Sequence, residues 1–252
     1  MSKKKDARQV LIRQIITEEG KIKVVDLAKR LNVTPETLRT DLNEMEQQSL
    51  IVREHGYARI NNSLNEIPVL MRGLENPEIK KRIIFRAMKE IKDGQVVYID
   101  SGSTVLCGLN ALTSKKGLTI VTNSIPVAQQ CSTMDHNIFF IGGMVIKEGL
   151  RTHGHFATDM IDHVQIDVAI MGTDGIADAS GFTTNSAHEV GSKRHIMNQS
   201  KKVITVMDHS KFSSRAPFKY CSFKEQDTII TNGPLSKDEL EQIKDIKEII
   251  QI

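Results

Sequence analysis

Small hydroxyl-bearing residues and glycines cluster at five places between residues 100 and 211. The first is Asp100-Ser101-Gly102-Ser103-Thr104, which follows the apolar run Val96-Val97-Tyr98-Ile99 and leads into a helical pattern. Bare backbone amides at a helix start, with hydroxyls beside them, can hold a phosphate. The same residue types also make ordinary strand-to-helix turns. The other clusters are Thr122-Asn123-Ser124, Gly142-Gly143, Gly172-Thr173-Asp174-Gly175 and Asp208-His209-Ser210-Lys211, each at the end of an apolar strand-like run. Together the five outline one polar pocket. Asp100 and Asp174 can accept hydrogen bonds from sugar hydroxyls, and Lys211 or Lys193 can neutralise an anionic group. Glu189 precedes Lys193 by four residues on a helical pattern, a spacing that also describes a plain surface ion pair. Lys80 is a further cation of the right type, more simply read as structural. His153-Gly154-His155 has metal-binding residue types but no cysteine or acidic partner at ligand spacing, so no metal or cofactor is expected.

A second group of residues suits different chemistry. Val25 to Leu31 has the spacing of a short amphipathic helix, Asn32-Val33 makes a turn, and Thr34 and Pro35 fit the cap and first position of the next helix. In that helix Leu38, Leu42, Met45 and Ser49 form one stripe, while Glu36, Thr40, Asn43 and Gln47 form the opposite face, flanked by Thr37 and Arg39. Short hydrogen-bonding side chains of this kind read base edges. Leu50-Ile51-Val52-Arg53 and Tyr57-Ala58-Arg59-Ile60 read as two strands closed by Glu54-His55-Gly56. The pattern is a winged helix-turn-helix, for which the plain alternative is a protein-packing module.

The elements that must position these groups follow from length and composition. The 252 residues, 39% hydrophobic and 26% charged, suffice for one large core or two unequal ones. Residues 1–60 carry 12 Lys or Arg against 9 Asp or Glu, whereas residues 61–252 carry 22 of each, so the whole net charge of +3 falls on the winged segment. Lys3-Lys4-Lys5, Arg8, Arg13, Lys21 and Lys23 are placed to meet phosphates, though a lysine run is also a common solvated terminus. A first helix is expected over 6–18, with Val10, Leu11, Gln14, Ile15 and Thr17 facing inward and Gly20 ending it.

The polar break Asn61-Asn62-Ser63-Leu64-Asn65 marks a domain boundary, giving a reader over 1–60, a linker over 61–77 and a second domain over 78–252. Ile79, Ile83, Ile84, Ala87, Met88 and Ile91 predict a helix over 78–92. Seven strands are expected at 95–100, 118–122, 137–141, 166–171, 202–207, 227–231 and 247–252, alternating with helical stretches. That alternation predicts an α/β domain with a mostly parallel sheet and ligands beyond the carboxyl ends of its strands. Cys107, Cys131 and Cys221 are odd in number and far apart, and no apolar run approaches membrane-spanning length, so a cytoplasmic protein is expected.

Val33-Thr34-Pro35-Glu36-Thr37-Leu38-Arg39-Thr40-Asp41-Leu42 and Val52-Arg53-Glu54-His55-Gly56-Tyr57-Ala58 resemble the helix-turn-helix and wing of the DeoR family of bacterial sugar-operon regulators. The elements Asp-Ser-Gly-Ser-Thr, Thr-Asn-Ser, Gly-Gly, Thr-Asp-Gly-Ile and Asp-x-Ser-Lys occur in that family's order and extend the likeness to its sensor domain, similar in fold to ribose-5-phosphate isomerase. The chain departs from the family at Arg39-Thr40, where a pair of arginines is usual, at Tyr57, usually glycine, and at His209, more often serine. The resemblance implies a repressor that binds double-stranded operator DNA as a homodimer or homotetramer and is released by a phosphorylated sugar. On this reading Thr34, Glu36, Thr37, Arg39, Thr40, Asn43, Arg53 and His55 meet DNA. Asp100, Ser101, Gly102, Ser103, Thr104, Thr122, Asn123, Ser124, Gly143, Asp174, Glu189, Lys193 and Lys211 meet the effector, and none is catalytic. The alternative is a sugar-phosphate isomerase carrying a DNA-binding domain, with Glu189 or Asp174 moving the proton and Lys193 stabilising the enediolate.

Overall fold

The computed structural model describes residues 3–48, 50–60 and 67–252. They form two compact units, Met1–Ile67 and Pro68–Ile252. The expected boundary at 61–65, and Ser49 of the predicted stripe, lie outside the described residues.

In the first unit, helix Lys3–Glu19 precedes helices Val24–Leu31 and Pro35–Gln47. The turn between the latter two needs one left-handed residue, Asn32 at φ 50°, a conformation that asparagine tolerates. Thr34 then caps the next helix by accepting from the Thr37 amide at 3.2 Å, with Pro35 in the first turn. Leu38, Leu42 and Met45 are fully buried, as the stripe predicts. Strands Ile51–Glu54 and Tyr57–Ile60 pair in antiparallel register with Glu54 opposite Tyr57. The two residues between them, His55 and Gly56, both have positive φ (49° and 81°), the geometry whose twist matches a hairpin. A third strand, Lys21–Lys23, adds to Tyr57–Ile60 and was not anticipated, because three residues carry no readable alternation.

The first helix runs as expected but is rotated. Its buried face is Gln9, Ile12, Ile15 and Ile16, whereas Leu11 is 46% exposed and Gln14 and Thr17 face solvent. Three isoleucines at i, i+3 and i+4 define a more apolar arc than the one centred on Val10 and Leu11. Gln9 is buried with them because its amide reaches Glu44 at 3.2 Å.

The second unit holds all seven expected strands in one parallel sheet. The order across the sheet is Glu248–Gln251, Thr228–Thr231, Ser200–Val206, Ile166–Gly172, Val96–Ile99, Thr119–Thr122, Asn137–Phe140. Side chains alternate between two cores: Tyr98, Ala169 and Met171 point to one face, Val97, Ile99, Val168 and Ile170 to the other. Helices cover both faces, among them Pro77–Met88 on the second and Ala187–Asn198 on the first. The chain starts in the middle with Val96–Ile99, builds outward to Asn137–Phe140, then returns to Ile166–Gly172 and builds the other way. The order therefore reverses between Val96–Ile99 and Ile166–Gly172, and the crevice beyond their carboxyl ends is where such sheets bind ligands. Two antiparallel pairs lie outside this sheet, Met144–Ile146 with Arg151–His153 and Gly181–Thr184 with Phe218–Ser222.

Part of the stretch expected as linker is built into the second unit. Helix Val69–Arg72 is a single turn whose first amide donates to Glu148 O at 2.9 Å, and Val69 is 1% exposed.

Candidate functional site

The reversal point opens into a cleft lined by Arg72, the loop Asp100–Thr104, Gly172, Thr173, Asp174, Glu189, Lys193 and Lys211. Nine of the thirteen residues expected at an effector site line it. The other four do not, for reasons of topology and of hydrogen bonding. They follow strands one and two places removed from the reversal point. Thr122 donates to Ile99 O at 2.7 Å, Asn123 bridges the Tyr98 hydroxyl and Thr152 O, and Ser124 caps helix Ile125–Cys131. Gly143 sits at φ 138°, where a Cβ would come within 2.5 Å of His153 O, so its glycine serves a close backbone approach.

Within the cleft most charges are already matched. Lys193 donates to Asp100 Oδ2 at 2.7 Å and to Gly172 O at 3.1 Å, with its ammonium 5.1 Å from the Tyr220 ring. Asp100 also accepts from the amides of Ser101 and Gly172, each at 2.8 Å. Burial opposes the charge on Asp100, but the Lys193 ammonium and these two amides prevail and hold its pKa below the usual 3.8. The Lys193 ammonium is likewise penalised by burial and rescued by Asp100, so its pKa lies above 10.5.

Asp174 accepts from Arg72 Nη1 at 2.8 Å and from the Asn185 amide at 2.9 Å, and the Thr184 hydroxyl, 3.2 Å away, is shared between it and the nearer Glu189. Burial again acts against its charge, and Arg72 and the Asn185 amide again lower the pKa. Glu189 pairs with Arg151 at 2.8 Å and accepts from the Thr184 hydroxyl, yet burial dominates and raises its pKa. Glu189 and Lys193 thus form no surface pair with each other: Lys193 is buried on Asp100, and the half-buried Glu189 is held by Arg151 and Thr184. Lys80 is 2% exposed; burial lowers its pKa, and it donates to Arg72 O and to Ser103 Oγ at 3.3 Å.

Two features remain open to a ligand. Lys211, half-buried on the one-turn element His209–Phe212 that Asp208 caps, lines the cleft, and its ammonium has no hydrogen-bond or ion-pair partner among the described residues. The amides of Gly102, Ser103 and Thr104 begin helix Ser103–Leu106 and donate to no described group. That helix has only four residues, so it contributes these donors and little macrodipole.

Sequence reasoning missed Arg72, Arg151 and Thr184. Arg72 ends a single helical turn and Arg151 begins a three-residue strand, both too short for a periodicity to mark them.

In the first unit Thr34, Glu36, Arg39, Thr40, Asn43 and His55 are exposed, and Thr37 and Arg53 are half-buried. The Thr40 hydroxyl donates to Glu36 O at 3.0 Å, which leaves its oxygen free to accept. Arg39 makes no ion pair among the described residues. Arg53 instead grips Glu46 through Nε at 2.9 Å and Nη2 at 2.6 Å, tying the wing to the helix. Arg8 and Lys5 are similarly turned inward, to the buried Asp41 and to Glu44, and lock the first helix to the third. Lys21 and Lys23 stand 5.5 and 5.8 Å from the Tyr57 ring, which thereby supports two positive charges beside the wing.

A winged helix-turn-helix joined to an α/β unit with a charged cleft at its reversal point is the build of a ligand-responsive transcription regulator. The chain belongs to the DeoR family: residues 8–64 match the DeoR-like helix-turn-helix domain and residues 75–233 the DeoR C terminal sensor domain. It is 32% identical to the glycerol-3-phosphate regulon repressor of Escherichia coli over 222 residues, 88% of either chain. It is 29% identical to the HTH-type transcriptional regulator GlpR of Haloferax volcanii over 238 residues, 94% of this chain and 93% of that one. Among solved structures, ribose 5 phosphate isomerase A from Neisseria gonorrhoeae is similar at 20% identity and a TM-score of 0.41, over 55% of each chain. No helix among the described residues is long and apolar enough to cross a membrane.

Proposed function

We propose that the chain represses a carbohydrate-utilisation operon and is released from it by a phosphorylated sugar bound at the cleft. The observation that carries this reading is the pairing of an unengaged ammonium, Lys211, with three unengaged amides, Gly102, Ser103 and Thr104, in a cleft whose other charges are matched. Such a set suits one anionic group with several acceptor oxygens. Asp100, Asp174 and Glu189 border it and accept from hydroxyls on the remainder of the ligand. The name of the Escherichia coli relative, a glycerol-3-phosphate regulon repressor, agrees with a small phosphorylated polyol or sugar as the effector class.

At the other end, Thr34, Glu36, Thr37, Thr40 and Asn43 meet base edges and the adjoining backbone, Arg39 meets phosphate, and His55 and Arg53 place the wing. One short helix and one wing bury little surface, so two copies act on paired half-sites as a homodimer or homotetramer. The reader occupies residues 1–60 and the sensor begins at Pro68, so that it takes in helix Val69–Arg72, within the cytoplasm.

The chain is read as a regulator and not an isomerase because the groups an isomerase needs are engaged. Lys193 is held by Asp100 and Gly172 O, and both oxygens of Glu189 are taken by Arg151 and Thr184. Footprinting of the region upstream of neighbouring sugar-utilisation genes, with and without glycerol 3-phosphate and fructose 6-phosphate, tests the reading. Protection of a paired site that a phosphorylated compound abolishes supports it; interconversion of aldose and ketose phosphates by the purified protein contradicts it.

A further inference from the structure

We propose that Arg72 and Lys80 are the positioning residues that report occupancy of the cleft to the segment leading toward the reader, an inference that rests on the cleft being the effector site. Arg72 lies five positions beyond Ile67, the last residue of the first unit. Its side chain reaches into the cleft, with Nη1 2.8 Å from Asp174 Oδ1. Its carbonyl is held from the other side by the Lys80 ammonium, which is 2% exposed and also donates to Ser103 Oγ at 3.3 Å. One turn of helix is thereby fastened to both walls of the reversal point. Asp174 follows strand Ile166–Gly172, and Ser103 follows strand Val96–Ile99.

An anion seated on the amides of Gly102, Ser103 and Thr104 changes both fastenings. A guanidinium prefers a bidentate oxyanion to the single N–H···O contact that Arg72 makes with Asp174. A ligand hydroxyl can replace that contact by donating to Asp174, so drawing Arg72 to the anion does not leave Asp174 bare. The Lys80 ammonium, next to Ser103, is drawn the same way and carries the Arg72 carbonyl with it. Helix Val69–Arg72 has only one turn and is pinned by a handful of bonds, among them Val69 N to Glu148 O, so it is a low-stability element able to take up a second position. Because coupling is reciprocal, the position of this turn also sets how tightly the cleft holds its anion.

Hydrogen exchange of the full chain, titrated with inorganic phosphate, tests this directly. In the wild type, phosphate slows exchange at residues 101–104 and changes exchange at 68–74 several-fold. In Arg72→Gln the response at 101–104 persists, reached at a higher phosphate concentration, and the response at 68–74 is lost; Lys80→Met provides the independent second variant and gives the same loss. Slowing at 101–104 with 68–74 unmoved in the wild type overturns the coupling and leaves the effector site standing. Absence of any response at 101–104 overturns the effector site and the coupling with it. A response at 68–74 that persists in both variants shows that these two residues are not the route.

Discussion

Lys193 Nζ lies 2.7 Å from Asp100 Oδ2, both groups buried at the reversal point of the sheet, so the ammonium serves as the counter-ion of the carboxylate. Removing one partner of a buried ion pair leaves an uncompensated charge, at a cost of about 3–5 kcal/mol. Lys193→Met is expected to lower the stability of the second unit by that amount in denaturant unfolding. Simultaneous Asp100→Asn should recover a large part of the loss.

The same pair sets a pH dependence. Asp100 has a pKa below its ordinary 3.8 in the folded chain, so its contribution to stability is present above that value and is lost as pH falls through the folded value. Lys193 has a pKa above 10.5, so its contribution is complete below 10.5 and is lost as pH rises through the folded value. The contribution of the pair to wild-type stability should therefore be flat between these limits and shrink on both sides. In the variant, burial acts on Asp100 without its counter-ion, and acidification from neutral pH should stabilise the chain relative to wild type before general acid unfolding begins. Chemical unfolding at a series of pH values measures this.

Asn123 and Gly143 separate architecture from binding. Asn123→Ala leaves the buried Tyr98 hydroxyl and Thr152 O without their partner and should cost about 1–3 kcal/mol of stability. Gly143→Ala forces a Cβ against His153 O and should also destabilise. Neither change should alter anion affinity in calorimetry once the folded fraction is accounted for.

The reach of the sequence ended where periodicity ended. The seven strands and the helices were legible because alternation and helical spacing persist over several residues, and Leu38, Leu42 and Met45 announced the buried face of the recognition helix. The first helix misled because Leu11 and Ile12 are equally apolar and only packing against the third helix chooses between them. For the cleft, residue type at five strand ends was informative, but which ends meet depends on strand order. Thr122, Asn123 and Ser124 look like site residues but do not line the cleft, because their strand lies one place away in the sheet. Arg72 could not be found at all, since a single turn between two prolines carries no pattern.

On the reader, base contacts and phosphate contacts should respond differently. Thr40→Ala and Asn43→Ala are expected to change which operator variants bind, by roughly 1–3 kcal/mol at the affected base pair. Arg39→Ala should weaken all sequences alike and lower the salt slope by about one. Arg53→Ala should loosen the wing by freeing Glu46, with a smaller effect on the salt slope, because its charge is already paired. Competition binding over an operator library at several salt concentrations distinguishes these outcomes.

Calorimetric titration of matched pairs, glycerol with glycerol 3-phosphate and fructose with fructose 6-phosphate, against wild type and Lys211→Ala tests the central claim most directly. A neutral ligand leaves the Lys211 ammonium and the amides of Gly102 to Thr104 without an anion, at a cost of about 1–3 kcal/mol per unsatisfied group. Two such groups correspond to roughly a hundredfold or more in affinity. The account predicts that a phosphorylated member binds at least that much more tightly than its unphosphorylated partner and that Lys211→Ala removes most of the difference. Equal affinity within every pair, or an undiminished preference in Lys211→Ala, would contradict it.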